Sequence, residues 1–278
     1  MFNVSQFSYH VREREKFLSI TREKVRRSDA LSPGDMNADD VEYEMQFPKN
    51  REMITICGAD QSGLEHFCRK YGQTYRAIRL EKCQYVHDLS PLGALPSLEY
   101  VDVRWNIRSD RLWDMRGNTS LRAIELHDCR KITQNLGLLS TAPSLTDVIV
   151  CGSIFGKYPM PSLDVFAQIP RLQYLRLFNV KPERKEAPFL AMTGFERFDF
   201  DSSMYTTEEI ARMVALYPHV CGTYFGAYGP AYFGSKNYMR VSGFRKPELR
   251  LPEDQKRLDK YVAAFDALVE KYRREADA

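Results

Sequence analysis

In the middle of the chain His127, Cys129 and Cys151 stand near two carboxylates, Glu125 and Asp128. A thiol beside an imidazole that a carboxylate orients is the arrangement covalent thiol catalysis requires, because the imidazole takes the thiol proton and the carboxylate fixes the ring. Against that reading, Cys129 falls where a bend is expected, with its side chain turned inward and away from His127. His66 and Cys68 are metal-ligand types, but they form a pair without further partners, and no C-x-x-C spacing occurs to build a zinc site. The chain also lacks G-x-S-x-G, a glycine-rich loop leading to GK[ST], and H-E-x-x-H. The expectation is a protein without catalytic residues, cofactor or metal.

What positions these groups is a recurrent spacing of apolar residues. Tyr75, Ile78, Leu80; Leu98, Val101, Val103; Leu121, Ile124, Leu126; Leu145, Val148, Val150; Leu172, Leu175, Leu177; and Phe195, Phe198, Phe200 all fall at i, i+3, i+5. Successive triplets are 23, 23, 24, 27 and 23 residues apart. A fixed period of this size predicts a solenoid, in which each unit buries its apolar face by stacking on its neighbours. Three residues past the triplets stand Cys83, Asn106, Cys129, Ser153, Val180 and Ser203. At a bend an Asn or Cys side chain satisfies backbone groups left unpaired as the chain turns.

Together these residues resemble the leucine-rich repeat pattern L-x-x-L-x-L-x-x-[N/C]-x-L, with Val180, Tyr75 and the all-Phe triplet as departures. The resemblance implies an α/β solenoid, a horseshoe with a parallel β-sheet on its concave face. Ile54 and Ile56 extend the array backward and Val220, Thr223 and Phe225 extend it forward, giving about eight units over residues 51–228. The GFRKPEL segment and the LWDMRGNTSL stretch also resemble bacterial intracellular leucine-rich repeat proteins. Between strands, the segments containing Leu89, Leu136 and Leu163 are cut short by Pro96, Pro143 and Pro170 and should form only short turns. Thr206 to Leu216 reads as a capped helix.

The ends differ from the repeats. Residues 1–50 read as a β-containing N-terminal cap, with alternation at Phe7, Tyr9 and Val11 and again at Val41, Tyr43, Met45 and Phe47. Residues 229–278 read as an aromatic, glycine-rich loop and a capping helix over 253–275 whose apolar face includes Leu258, Phe265 and Val269. The 40 basic and 37 acidic residues nearly cancel, which leaves no footprint for sequence-independent nucleic-acid binding. No run of 18 apolar residues occurs and the first residues lack a signal peptide's basic start and apolar core, so neither membrane nor export is expected and the location should be cytoplasmic. The six cysteines should be reduced thiols, mostly buried.

Laid side by side, the strands place Arg79, Asp102, Glu125, Ile149, Arg176 and Asp199 in one column and Glu81, Arg104, His127, Cys151, Phe178 and Asp201 in another. Two readings follow: a self-compensating ladder of surface ion pairs, or a recognition face with aromatic anchors. The expected partner contacts are Tyr100, Asp102, Arg104, Trp105, Glu125, His127, Tyr174, Arg176, Phe178, Asp199, Asp201 and Tyr224. The 27-residue step marks an insertion around Phe155 to Met160, a second candidate contact. The function so read is a non-enzymatic scaffold that binds a protein through its concave face, as an immunity or inhibitor protein or an adaptor. The alternatives are an enzyme or effector acting through the aromatic loop 224–244, and a nucleic-acid-associated protein using basic residues 12–27.

Overall fold

The computed structural model describes residues 36–47, 52–231 and 237–278, with the backbone of Lys24–Val25. The expected strands before residue 24 and the side chains of the basic cluster 12–27 lie outside the described residues, as do Tyr232 and Phe233. The chain is a mixed α/β protein whose repeat strands are parallel, and it divides into two compact units, with elements numbered here along the chain. Unit 1 runs through Gln173 and adds Asn179–Phe189; unit 2 comprises Tyr174–Phe178 and Leu190–Ala278.

Unit 1 contains β1 (Lys24–Val25), α1 (Ala38–Glu44), β2 (Met53–Cys57), α2 (Gln61–Lys70), β3 (Ala77–Glu81), β4 (Tyr100–Arg104), β5 (Ala123–His127), α3 (Arg130–Thr133), β6 (Asp147–Cys151), β7 (Tyr158–Ser162) and β9 (Val180–Arg184). Strands β1 to β6 pair in parallel in chain order, and from β2 onward the register matches like positions, so that Ile54, Ile78, Val101, Ile124 and Val148 align. These side chains and their i+2 partners Ile56, Leu80, Val103, Leu126 and Val150 are buried on one face. Full burial of each such aliphatic side chain contributes about 1.5–3 kcal/mol. The connecting segments hold short 3-10 turns at Ser90–Ala94, Gly137–Thr141 and Asp164–Gln168, as the prolines predict. The 27-residue step contains an added strand, β7, which pairs in parallel with β9. Gly152 is needed there, because a Cβ would lie 1.9 Å from the Asn179 carbonyl oxygen, which accepts from the Tyr158 N–H.

The segment Val41–Phe47 is not a strand. Asn37 caps α1 by accepting from the Asp39 and Asp40 N–H groups, and Asp40 returns the bond to the Asn37 N–H. This capping box fixes the helix start, and a period-2 apolar pattern seven residues long does not override it. A single carboxylate then ties α1 to α2. Glu42 lies 2.8 Å from His66 Nε2 and accepts from Tyr71 Oη at 2.7 Å and Lys70 Nζ at 2.5 Å. Lys70, Tyr71 and His66 hold its carboxyl at about 2, below the ordinary 4.5. A depressed carboxyl stabilises the fold above its unfolded value, so this contribution is present above pH 4.5 and fades as pH falls toward 2. The melting temperature of Glu42→Gln should accordingly show a shallower acid decline than wild type over pH 4.5 to 2.

Unit 2 contains β8 (Tyr174–Phe178) and β10 (Arg197–Phe200), which pair in parallel. Helix α4 (Thr207–Leu216) begins at a capping box formed by Thr206 and Glu209. The segment expected as an eighth unit makes only an isolated bridge, Arg197 to Cys221. Beyond it β11 (Tyr228–Pro230), β12 (Tyr238–Val241) and β13 (Glu248–Arg250) form an antiparallel sheet. The final helix α5 (Gln255–Asp277) sets Leu258 against Val241 and Leu249, with Tyr261 and Val262 alongside, and packs on α4. Tyr224 and Phe225 are buried, whereas Tyr228, Tyr238 and Phe244 are exposed. Among the described residues no helix is long and apolar enough to cross a membrane. All six cysteines are free thiols.

Candidate functional site

Each repeat strand of unit 1 from β2 to β5 ends in the same corner. Gly58, Lys82, Trp105 and Asp128 immediately follow a strand and have φ of 73°, 56°, 55° and 57°. A left-handed conformation at a non-glycine residue costs about 1–2 kcal/mol. Here it lets the N–H continue the ladder, donating to the carbonyls of Glu81, Arg104, His127 and Cys151 on the next strand at 2.9–3.1 Å. The following side chain turns inward and is fully buried: Ala59, Cys83, Asn106 and Cys129. Cys83 and Cys129 donate to backbone carbonyls, and Asn106 bonds four backbone groups. Position and role match the sequence expectation.

The opposite face of the sheet is where the expected contact residues stand, and most of that face is buried. The first four residues of β3, β4, β5 and β6 are all buried. Tyr100 packs between Ala77 and Ala123, so a large side chain fills the space left by two small ones. Asp102, fully buried, accepts from Arg79 Nε of the preceding strand at 2.8 Å and from Arg104 Nε at 2.9 and 3.0 Å. Arg104 Nη2 is 3.9 Å from Glu125 Oε2, and that same oxygen is 2.8 Å from His127 Nε2. What spacing alone presents as a ladder of surface pairs is in unit 1 a buried network. Strands about 4.8 Å apart bring long polar side chains into mutual contact and leave little room for water.

Electrostatics differ along this network. Burial and the neighbouring Glu125 push the Asp102 carboxyl above its ordinary value, against the pull of Arg104, His127 and Arg79. At His127, burial opposes protonation, but hydrogen bonds with Cys151 and Glu125 outweigh it and push the imidazole up to about 9. A raised histidine stabilises the fold below its unfolded value of 6.5, and that contribution is lost as pH rises through 9. The loss should be on the order of 3 kcal/mol. Urea unfolding at pH 6.5 and pH 9.5 should show this difference in wild type and much less of it in His127→Gln.

Ligand atoms of Asp102, Glu125 and His127 lie within 4.8 Å of one another, a spacing a cation could bridge. Both Asp102 oxygens already accept from arginines, so guanidinium groups hold the place a metal would take.

Unit 2 repeats the device in its own strands. Asp199 Oδ2 accepts from Tyr174 Oη at 2.8 Å and Arg197 Nε at 3.2 Å, and lies 3.5 Å from Arg176 Nη2. Its Oδ1 accepts from the Thr223 N–H at 2.8 Å and Thr223 Oγ1 at 3.0 Å. Burial works against this carboxylate, yet Arg197, Arg176 and Tyr174 hold it below the ordinary range. At Asp199 these partners outweigh burial, whereas at Asp102 the charge of Glu125 adds to burial, and the two directions are opposite.

Of the expected contacts, Tyr100, Asp102, Glu125, Tyr174, Asp199 and Tyr224 are buried. Arg104, His127, Arg176, Phe178 and Asp201 are half-buried, with Arg176 over the Phe178 ring, and Trp105 is exposed. Three residues outside the expected contact set complete the networks: Arg79, Arg197 and Cys151. The column spacing of the sequence already aligns Arg79 with Asp102 and Cys151 with His127, whereas Arg197 reaches Asp199 along its own strand. Neither a protein-family model nor a curated protein matches the chain.

The exposed side chains gather elsewhere. Tyr85, Trp105, Ile107, Ile154 and Phe155 are all exposed, the last at 92%. Each lies in a loop that follows the C-terminal end of β3, β4 or β6. The strands are parallel, so these loops share one edge of the unit 1 sheet. Side-chain bonds to backbone carbonyls stack two of them, since Asn106 and Ser109 donate to carbonyls of Cys83 and Val86, and Arg108 sits over the Tyr85 ring.

Proposed function

We propose that this chain is a leucine-rich-repeat-type solenoid of the cell interior whose role is to bind a protein partner. The repeat reading is supported by strands that pair in parallel at offsets of 23 and 24 residues with like positions aligned, and by the left-handed corner and inward Asn or Cys that recur after them. Free thiols at all six cysteines fit a reducing compartment.

One observation carries the binding reading: Tyr85, Trp105, Ile107, Ile154 and Phe155 are exposed along the strand-C-terminal edge of unit 1 while the polar column beside them is buried. Large apolar side chains held out on rigid loops are the features of an interaction surface, and Trp and Tyr dominate binding energy at such surfaces. The contact thus shifts from the middle of the concave sheet toward its edge, with Trp105 retained from the expected set and half-buried Arg104 and His127 beside it. A tagged wild-type protein should retain a protein from extract of its source cells that Trp105→Ala and Ile154→Ser/Phe155→Ser lose at unchanged melting temperature. Equal retention by all three would remove this edge from consideration.

A further inference from the structure

We propose that Cys151 is a nucleophilic thiol, with His127 as its proton acceptor and Glu125 as the positioning residue, and that this site takes small electrophiles of the α,β-unsaturated carbonyl class. The argument begins with register. His127 ends β5 and Cys151 ends β6, and the two are direct partners across the parallel ladder, so their side chains leave the sheet on the same face about 4.8 Å apart. Glu125, two residues before His127 on that face, engages Nε2 at 2.8 Å. This fixes the ring and leaves Nδ1 as the atom to hold the thiol proton. The Cys151 side chain stands beside the imidazole across the ladder.

Accessibility then separates Cys151 from the other thiols. Cys57, Cys68, Cys83 and Cys129 are buried, and burial pushes the last three up to about 12. Cys151 is half-buried, and only Cys221 is more exposed.

The reaction needs no further reagent. The S–H bond breaks as its proton passes to His127, sulfur forms a bond to the β-carbon, and the C=C electron pair moves to the α-carbon. The imidazolium then delivers the same proton to the α-carbon, giving a neutral thioether. Glu125 acts through His127, whose Nε2 it engages.

N-ethylmaleimide at limiting concentration, with peptide-level mass spectrometry, reads the labelling rate of each cysteine in one sample of the full chain. Cys151 should label about tenfold faster than Cys221 although it is less exposed. His127→Gln and His127→Asn should each slow Cys151 about tenfold or more while leaving Cys221 unchanged, and the buried Cys83 and Cys129 of unit 1 should stay unlabelled, which reports that the variants are folded. Glu125→Gln should move the half-maximal pH of Cys151 labelling upward. Slower labelling of Cys151 than Cys221 in wild type overturns the proposal, since exposure alone then governs. So does a Cys151 rate that is indifferent to both His127 substitutions.

Discussion

Asp199→Asn is expected to lower the unfolding free energy by about 3–5 kcal/mol, the usual cost of removing one partner from a buried ion network. The substitution keeps the shape and removes the charge that Arg197 and Arg176 face within 3.5 Å. It also replaces one of the two acceptor oxygens that Tyr174 and the Thr223 N–H use with a donor. Asp102→Asn, at an equally buried position and with two arginines of its own, should cost less. The Asp102 charge is opposed by Glu125 as well as by burial, whereas Arg197, Arg176 and Tyr174 hold the Asp199 carboxyl below its ordinary range. Urea denaturation of both variants at pH 7 checks the order. A larger loss in Asp102→Asn would show that the contrast drawn between the two networks is wrong.

Asn106→Ala should destabilise unit 1 by about 3 kcal/mol, because buried backbone groups that lose their partners carry the full desolvation penalty. Four bonds are at stake. Asn106 Nδ2 donates to Cys83 O at 3.1 Å and Val86 O at 3.0 Å, and Oδ1 accepts from the Arg108 and Ser109 N–H groups at 3.1 and 2.9 Å. Cysteine fills the same corner at residues 83 and 129, where its single weak S–H donor faces two carbonyls. Asn106→Cys should therefore recover part of the loss, an order that chemical denaturation of the three proteins can check. Equal stability of the Ala and Cys variants would mean that the side chain at this corner fills space and no more.

The strands were legible because their inward residues have nowhere else to go. Ile78 and Leu80, Val101 and Val103, Ile124 and Leu126 are buried as their spacing predicts. The corner was legible too, since Asn and Cys are among the few side chains that can serve a turning backbone from inside. What could not be read was the fate of the other face. A charged residue at an alternate position is compatible with water or with a partner one strand away, and only the observed register shows Arg79 and Asp102 removed from solvent together. Helix α1 is ambiguous in the sequence for a different reason: Val41 and Met45 are i and i+4 as well as members of an alternating run, and the cap at Asn37 decides between the two periods. Cys151 shares a column with His127, whereas Cys129, nearer to His127 in the chain, faces inward and is buried.

Hydroxyl-radical footprinting of the full chain, with and without extract of its source cells, addresses the central reading most directly. Protein binding at the strand-C-terminal edge predicts that oxidation of Tyr85, Trp105 and Phe155 falls severalfold in the extract, while exposed Tyr238 and Phe244 of unit 2 keep their rates. Unchanged oxidation at Trp105 and Phe155, with protection confined to unit 2, would contradict it.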